Sequence, residues 1–333
     1  MADQELRVAM IGGNGHHSLR GAFGRGAKLV AVASDGLDNA AKAFMQQPYA
    51  AGAPYFENYE EMLDQVKPEA ISLGAWPARM FPYIMSALKR KVHVVTDKPI
   101  AVTPAQLRAL RRQTEKNPRV LLLTEFTMRS APAFMAAREA VRAGRVGDVV
   151  MVTAQKSYRF GASRPDFYKR RDSFPGTVMF VGCHVIGLAY WITGLKYAAA
   201  LAGAKGNIAK KDYGEFEDHA IIMFKMENDV DAIMHMDYLR PAAAPTHGDD
   251  RIRIAGSKGV LEVRDERCLL LTQDQPPAEL AHGGHDPDAG IEFVETIRGR
   301  GRGIYSTAES LYMADVLIKA RDSVDKNRVI KMA

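Results

Sequence analysis

Cysteine is scarce in this sequence. The two cysteines, Cys183 and Cys268, form no disulfide framework, and such scarcity is typical of proteins in a reducing cytosol. No apolar run approaches the roughly 18 residues that a membrane-spanning helix needs. Residues 1–5 are acidic and lead directly into a strand-like segment, unlike a signal peptide. The sequence therefore predicts a cytoplasmic protein that does not associate with a membrane.

Extreme composition and concentrated charge are also absent. Hydrophobic residues make up 47% and charged residues 25% of the chain, as in ordinary globular proteins. The net charge of +6 comes from basic residues that are mostly dispersed, and no nucleic-acid motif accompanies them, so we expect no nucleic-acid partner. Because 333 residues are more than one hydrophobic core usually organises, the length predicts two domains.

The beginning of the chain has a pattern typical of dinucleotide binding. An apolar strand over 6–11 runs into the glycine-rich turn 12–15, and a helical stretch leads to a second strand over 28–34 and to Asp35. In such βαβ units the glycines let the backbone approach a pyrophosphate, and the acid hydrogen-bonds the ribose. The glycine pattern is degenerate, because Asn14 stands where a second glycine is usual. The pattern nevertheless predicts a nucleotide-binding unit.

Strands and helices continue to alternate up to residue 125. The expected helices begin at Asn58, Pro82 and Thr103, and the expected strands cover 70–74, 91–96 and 120–124. Such alternation implies a parallel sheet with helices on both faces. We therefore predict an α/β dinucleotide-binding domain of the Rossmann type over residues 1–125.

A lysine follows the strand 91–96, in the segment Asp97-Lys98-Pro99. In open α/β sheets, ligands bind in the crevice outside the carboxyl ends of the strands. This position makes Lys98 a candidate for the active site, and the alternative is a solvated lysine in a turn.

The pattern of elements changes after Glu125. A helix is expected from Ser130 to Gly144, and a capping box at Ser306 is expected to open a last helix ending near Val324. Strands are expected over 149–157, 220–225, 232–238, 251–255, 259–263 and 268–271, and a loop over 272–290. Strands without intervening helices indicate an antiparallel sheet, so we predict an α+β domain over residues 126–333.

His184 and a cationic segment are the candidate functional groups of this second domain. His184 shares a predicted helical face with Phe180, Leu188 and Trp191, so it is either a base or a core residue. The cationic segment runs from Lys156 to Arg171. It is either a solvated loop or a wall that binds hydroxyls, a carboxylate or a phosphate of a substrate. The residues expected to contact a substrate are Lys156, Tyr158, Arg159, Arg164 and Phe180.

Four residues of the loop 272–290 have side chains that can bind metals. They are His282, His285, Asp286 and Asp288. Their spacing does not fit a tetrahedral site, so we predict no metal.

Several of these segments together resemble the glucose–fructose oxidoreductase/inositol dehydrogenase (Gfo/Idh/MocA) family. The segments that carry the resemblance are Ile11-Gly12, Asp97-Lys98-Pro99, 176–194 with His184, 256–262 and the helix at Ser306. The resemblance implies a Rossmann domain followed by an open-faced antiparallel sheet domain. It also implies NAD- or NADP-dependent oxidation or reduction of sugars and polyols, and homodimers or homotetramers formed through the open sheet face.

The family's catalytic motifs are only partly present. Its Glu-Lys-Pro motif appears here as Asp97-Lys98-Pro99. Its later motif has one aspartate four residues before a histidine and another three residues after it, and these positions read Phe180, His184 and Gly187. The resemblance therefore implies that Lys98 stabilises an alkoxide and that His184 acts as the base, without the usual carboxylates.

The predicted cofactor is NAD in preference to NADP. A carboxylate at Asp35 accepts hydrogen bonds from ribose hydroxyls and repels a 2′-phosphate, and no arginine follows within 36–39. Trp76 either shapes the nicotinamide pocket or serves packing. The residues expected to contact the cofactor are Gly12, Gly13, Asn14, Gly15, Ser34, Asp35, Trp76, Asp97, Lys98, Pro99 and Glu125.

Three functions are compatible with these residues. The leading hypothesis is an NAD-dependent oxidoreductase that acts on a sugar, polyol or related hydroxy compound. The second is an NAD-dependent enzyme without net redox change, which oxidises a sugar transiently, eliminates a group and returns the hydride. The third is an NAD-binding protein whose catalytic residues have been lost.

Overall fold

The computed structural model describes residues 4–36, 40–161, 164–281 and 288–332. Contacts divide the chain into unit 1, which is Met1–Thr127 with Asp288–Asp315, and unit 2, which is Met128–Pro287 with Val316–Ala333. The sequence-based division at residue 125 had assigned the segment 288–315 to the second domain. The segment belongs to unit 1 because it packs there: Arg298 Nη2 donates to the carbonyl of Gln4 at 2.6 Å.

Unit 1 contains a six-stranded parallel sheet in the order β3-β2-β1-β4-β5-β6. Its strands are β1 (Leu6–Ile11), β2 (Ala27–Ala33), β3 (Tyr55–Phe56), β4 (Ala70–Leu73), β5 (His93–Thr96) and β6 (Leu122–Thr124). Its first helices are α1 (Tyr59–Val66), α2 (Met80–Lys89) and α3 (Pro104–Lys116). Strands β1, β4, β5 and β6 are almost entirely buried, as expected of parallel strands covered on both faces. The predicted Rossmann architecture is confirmed.

Two predicted elements of unit 1 differ in the structure for local backbone reasons. The helix expected after the glycine turn is only a 3-10 helix over Ser18–Ala22. Glycines at 24 and 26 with positive φ follow it, and glycine disfavours the continuation of a helix. Strand β5 begins at His93 instead of residue 91, because Lys91 has a φ of 61° in the left-handed region.

The predicted caps place helices α1 and α3 correctly. Thr103 accepts a hydrogen bond from the Gln106 amide at 3.2 Å, at the start of α3. Asn58 accepts one from the Glu60 amide at 2.8 Å, at the start of α1. These side chains satisfy amides that would otherwise be unpaired in the first turn of each helix.

Unit 2 contains a nine-stranded sheet in the order β14-β13-β12-β11-β7-β10-β9-β8-β15. The elements before residue 280 are α4 (Pro132–Arg142), β7 (Val149–Tyr158), α5 (Thr177–Phe180), α6 (Gly182–Thr193), β8 (Tyr197–Gly206), β9 (His219–Met226), β10 (Asp231–Asp237), β11 (Gly248–Gly256), β12 (Gly259–Arg264), β13 (Arg267–Thr272) and β14 (Ala278–Glu279). The last elements of the chain are α7 (Ala289–Ile297) in unit 1, α8 (Thr307–Lys326), which contributes to both units, and β15 (Ile330–Lys331).

The sheet of unit 2 is mostly antiparallel, as predicted, with one parallel pair, and three of its strands, β8, β14 and β15, were not predicted from the sequence. Strands β7 and β10 pair in parallel in the middle of the sheet. Strand β8 is rich in alanine and glycine, which have low β-propensity, so its sequence carries no strand signal. Helix α6 is buried on nearly all sides and packs against α4 and β7. No helix in the described part of the chain is both long enough and apolar enough to span a bilayer.

Candidate functional site

The glycine-rich turn of unit 1 packs tightly against the ends of two neighbouring strands. Gly12 has a φ of 75°, and a Cβ there would lie 2.3 Å from the carbonyl oxygen of Gly74. Gly15 has a φ of 86°, and a Cβ there would lie 2.1 Å from the Asp97 carboxylate. The Asn14 amide donates to the Gly74 carbonyl at 3.0 Å. The turn therefore requires glycine at both positions, as expected where a backbone must approach a ligand.

Asp97 connects this turn to Lys98. Its carboxylate accepts the His16 amide at 3.2 Å and the Lys98 amide at 2.8 Å. Lys98 is only 5% exposed, and its Nζ lies 4.0 Å from Asp97 Oδ1. The peptide bond from Lys98 to Pro99 is cis. Lys98 thus differs from a solvated turn lysine, because its ammonium is buried beside a carboxylate that also holds the glycine turn.

Two further titratable side chains are buried beside the turn. Glu125, at the end of β6, accepts the Ser18 amide at 3.1 Å and the Ser18 hydroxyl at 2.8 Å. Burial, together with the nearby charge of Asp97, raises the pKa of Glu125 to about 8. His17 Nδ1 lies 2.9 Å from the Ser72 hydroxyl, and burial lowers the pKa of His17 to about 4. At neutral pH this region therefore combines a neutral imidazole with a carboxyl group that retains its proton.

Asp35 and Ser34 lie at the end of β2, where the ribose-binding acid was predicted. Asp35 is buried, and its carbonyl accepts the Tyr83 hydroxyl at 2.6 Å. The Ser34 hydroxyl accepts the Gly36 amide at 2.9 Å, which closes a local turn. Residues 37–39, which belong to the segment without arginine after Asp35, lie outside the described residues.

The remaining predicted cofactor residue of unit 1 is Trp76, which is half-buried just after β4, before a 3-10 helix at Pro77–Arg79. The structure therefore collects the predicted cofactor residues at the carboxyl ends of β1, β2, β4, β5 and β6. This edge of a parallel sheet is where ligands bind in open α/β folds.

In unit 2, the helix that was expected to carry both Phe180 and His184 is divided. Helix α5 ends at Phe180, Val181 lies between the helices, and α6 begins at Gly182. The prediction of one continuous helix through Phe180 and His184 is therefore wrong. The Phe180 ring instead packs edge-on in an aromatic cluster, at 5.5 to 6.1 Å between ring centroids. Its neighbours in that cluster are Phe167, Tyr168 and Phe174.

His184 contacts a side chain of β7. It is only 3% exposed, and its Nε2 lies 3.5 Å from the hydroxyl of Tyr158. The two rings are nearly perpendicular, with centroids 6.4 Å apart. Tyr158 was predicted to contact a substrate, and sequence reasoning did not connect it with His184.

Lys156 lies two residues before Tyr158, on the same face of β7. Its Nζ lies 2.6 Å from the carboxylate of Asp250, its register partner on β11, and Lys156 is only 5% exposed. The ammonium is 4.6 Å from the centroid of the Tyr158 ring. Asp250 therefore fixes a buried cation over the ring of the residue that contacts His184. Asp250 could not be identified from the sequence, since its pairing with Lys156 depends on strand register.

The arginines of the cationic segment have mostly internal partners. The guanidinium of Arg164 donates to the Phe160 carbonyl at 2.7 Å, the Arg159 carbonyl at 2.6 Å and the Tyr168 hydroxyl at 3.1 Å. These bonds favour a structural role for Arg164 over substrate binding. Arg159 differs, because its Nε has no hydrogen-bond partner among the described residues.

Arg171 also serves the scaffold of unit 2. It pairs with Glu217 at 2.5 Å and with Asp325 at 2.6 Å. Glu217 accepts the Thr177 amide at 2.7 Å, at the beginning of α5. Arg171 thus fixes the segment that leads to α6, instead of forming a wall for substrate.

A cavity of about 580 Å³ lies in unit 2 next to Asp250. Its lining includes Met128, Phe134, Thr246, Asp249 and Glu266. Tyr158 and His184 are not among its lining residues, and its acidic lining, which includes Asp250, already supplies partners to neighbouring cations, Arg251 and Lys156 among them.

Of the four residues considered for metal binding, Asp288 is the N-cap of α7. It accepts the Gly290 amide at 2.8 Å and pairs with Arg25 at 3.2 Å. The other three, His282, His285 and Asp286, lie outside the described residues. Among the residues that are described, no group of metal-binding side chains comes together.

Comparisons with known proteins match both units. The model of the oxidoreductase family with an NAD-binding Rossmann fold matches residues 6–125, and that of the GFO/IDH/MocA C-terminal domain matches residues 134–262. A solved structure from Thermotoga maritima, provisionally assigned as an oxidoreductase, is 31% identical with a TM-score of 0.92. The match covers 98% of this chain and 100% of that one.

Two curated relatives are carbohydrate dehydrogenases. D-glucoside 3-dehydrogenase from Escherichia coli is 27% identical over 58% of this chain and 56% of its own length. D-xylose 1-dehydrogenase (NADP(+)) from Hypocrea jecorina is 27% identical over 47% of this chain and 40% of its own length. The matched segment thus spans about half the length of these relatives.

Proposed function

The chain belongs to the Gfo/Idh/MocA family of oxidoreductases, and on this premise we propose that it is an NAD-dependent dehydrogenase or reductase of a sugar, polyol or related hydroxy compound. The observation that carries the proposal is the packing of Gly15 against Asp97, which in turn holds Lys98. This arrangement combines a close backbone approach with a buried cation at the ligand-binding edge of the sheet. The carbohydrate dehydrogenases among the relatives support the substrate class.

The residues of unit 1 fit a dinucleotide. The turn over 12–15 would hold the pyrophosphate, and Asp35 would accept hydrogen bonds from the ribose hydroxyls. When bound, the nicotinamide would supply the hydride acceptor. The raised pKa of Glu125 leaves a proton on a carboxyl group near the same strand ends, where it can donate a hydrogen bond.

Two side chains would manage the charge and the proton of the substrate hydroxyl. Oxidation of an alcohol leaves charge on its oxygen as the hydride departs, and a fixed cation stabilises that charge. Lys98 is suited to this role because Asp97 and the turn hold it in place. His184 would take the proton.

The test is an assay of the purified chain with NAD or NADP and a panel of sugars, polyols and glycosides. We expect reduced nicotinamide to accumulate with at least one hydroxy compound. Release of the glycoside's leaving group without net reduced cofactor would indicate the elimination chemistry instead. Tight NAD binding without turnover on the whole panel would contradict the proposal and indicate a protein that has lost its catalytic function.

A further inference from the structure

The proposed function requires a path for the substrate proton, and the side chains around His184 indicate one. The carboxylates that flank this histidine in the family are replaced here by Phe180 and Gly187. His184 is almost completely buried, whereas Tyr158 is half-buried and contacts it. We propose that Tyr158 meets the substrate hydroxyl and passes its proton to His184. This inference rests on the proposed function.

The substrate hydroxyl gives its proton to Tyr158 Oη, while the hydroxyl proton of Tyr158 moves to His184 Nε2. When bound, the oxidised nicotinamide would accept the hydride from the same carbon. The products are a carbonyl compound, reduced nicotinamide, a neutral tyrosine and an imidazolium, which later loses its proton to solvent. The separation of 3.5 Å must shorten to an ordinary hydrogen bond, as catalytic contacts often do when substrate binds.

The surroundings of Tyr158 favour such a transfer. The Lys156 ammonium lies 4.6 Å from the ring centroid, and Asp250 holds it there at 2.6 Å. A cation over an aromatic ring favours negative charge developing on the phenol oxygen during the transfer. Two further rings lie beside that of Tyr158. The centroid of the exposed His247 ring is 5.1 Å from the Tyr158 centroid, and that of the Tyr238 ring is 6.1 Å from it. Lys156 is therefore a positioning residue, which acts through Tyr158.

The kinetic test compares two tyrosines and so distinguishes a proton relay from a packing contact. Tyr158→Phe removes the relay hydroxyl and keeps the ring. We expect the turnover number to fall roughly 10²-fold or more, the usual effect of losing acid–base catalysis, with NAD affinity unchanged. The matched control is Tyr197→Phe, because the Tyr197 hydroxyl donates to the Ile186 carbonyl of the same helix α6 at 2.8 Å. The turnover number of Tyr197→Phe should stay within about threefold of the wild-type value, far from the roughly 10²-fold loss expected for Tyr158→Phe.

A second readout does not depend on the substrate. In protein labelled with ¹⁵N-histidine, the ring nitrogens of His184 report its tautomer and hydrogen bonding, and His184→Asn assigns the signal. We expect Tyr158→Phe to shift this signal and Tyr197→Phe to leave it in place. If the wild type oxidised none of the panel, the proposed function would fail, and this measurement would still decide whether Tyr158 and His184 are coupled. An unchanged His184 signal in Tyr158→Phe, or turnover close to wild type, overturns the relay.

Lys156 provides an independent check of the same proposal. Lys156→Met should lower the turnover number more than it raises KM, and it should shift the pH profile of turnover. Lys156→Arg should restore part of the activity, because it returns a cation that can pair with Asp250. Equal activity of the two variants would contradict a positioning role for this charge.

Discussion

At the scale of single residues, Asp97 organises the site of unit 1. One carboxylate accepts the amides of His16 and Lys98 and leaves no room for a side chain at Gly15. The family resemblance implies a glutamate at this position, and the shorter aspartate keeps the charge. The main effect of Asp97 is to hold Lys98 next to the glycine turn.

Replacing Lys98 by methionine tests whether this lysine serves catalysis. We expect Lys98→Met to keep the fold and most of the NAD affinity, and to lose about 10²–10³-fold in turnover, as when one preorganised donor is removed. The control is Lys89→Met, since Lys89 is an exposed lysine of α2. Turnover of Lys98→Met near the wild-type rate would show that the lysine is structural.

Asp35 should determine the choice of cofactor. A carboxylate there binds ribose hydroxyls and repels a 2′-phosphate, so we expect NAD to bind about tenfold or more tightly than NADP, which is about 1.4 kcal/mol. Calorimetric titration with both cofactors measures this ratio, and Asp35→Ala should reduce it, while Glu139→Gln, a change at an exposed acid of unit 2, should not. Tighter binding of NADP by the wild type would refute the expectation.

Glu125 should make the stability of the protein depend on pH. Its folded pKa of about 8 exceeds the ordinary value of 4.5, so the folded state keeps a proton that the unfolded chain releases. The stabilisation is fully present below pH 4.5 and is lost as the pH rises through about 8. In this window the free energy of unfolding should fall by up to about 1.4 kcal/mol per pH unit.

Glu125→Gln should remove that dependence, because glutamine resembles the protonated acid and does not titrate. Urea unfolding of both proteins across the window measures the two slopes. The exposed Glu139 supplies the control variant Glu139→Gln, which should keep the wild-type slope. Parallel pH dependences for wild type and Glu125→Gln would show that Glu125 is ionised in the folded protein.

At the scale of elements, the break at Val181 divides the packing of Phe180 and the placement of His184 between two helices. Helix α5 ends in an aromatic cluster, and α6 carries His184 towards β7. Strand β7 supplies both Lys156 and Tyr158, because alternate residues of a strand share a face. Tyr158, a partner of His184, therefore comes from the sheet.

The same break predicts the effect of restoring a carboxylate at position 180. Phe180→Asp would place a charge among the rings of Phe167, Tyr168 and Phe174. We expect a loss of roughly 2 kcal/mol in the free energy of unfolding, against about 1 kcal/mol for the apolar control Phe180→Leu. Urea unfolding measures both. Unchanged stability together with a shifted pH profile of activity would instead place the new carboxylate beside His184.

At the scale of the whole molecule, each unit is assembled from separated parts of the chain. Residues 288–315 return to unit 1, and residues 316–333 belong to unit 2. In unit 1 the beginning of α8 completes the edge of the sheet: Thr307 and Ser310 accept the amides of Leu122 and Thr124, each at 3.0 Å. These side chains replace the partners that a further strand would provide.

Ser310→Ala tests this completion of unit 1. It would leave the buried Thr124 amide without its acceptor, which should cost about 1–3 kcal/mol of unfolding free energy. Thr307→Ser keeps its hydroxyl and should change stability by less than about 0.5 kcal/mol. Thermal and urea unfolding distinguish the two variants. Equal stabilities would mean that the β6 amides find other acceptors.

The sequence by itself determined the classes of the two folds and most of their elements. The alternation of strands and helices up to residue 125, the clustered strands after it and the caps at Thr103 and Ser306 are local patterns. The residues at the strand ends, Lys98 among them, were also visible, because parallel strands bring their carboxyl ends to one edge.

Only the tertiary structure decided which side chains meet. The contact of Tyr158 with His184 joins residues 26 positions apart, and that of Lys156 with Asp250 joins residues 94 apart. Such pairs depend on strand register and on the exact end of a helix, and a shift of one residue would turn the side chains to the opposite face of the sheet. Periodicity specifies a face within one element, whereas the packing of distant elements selects the partner across it.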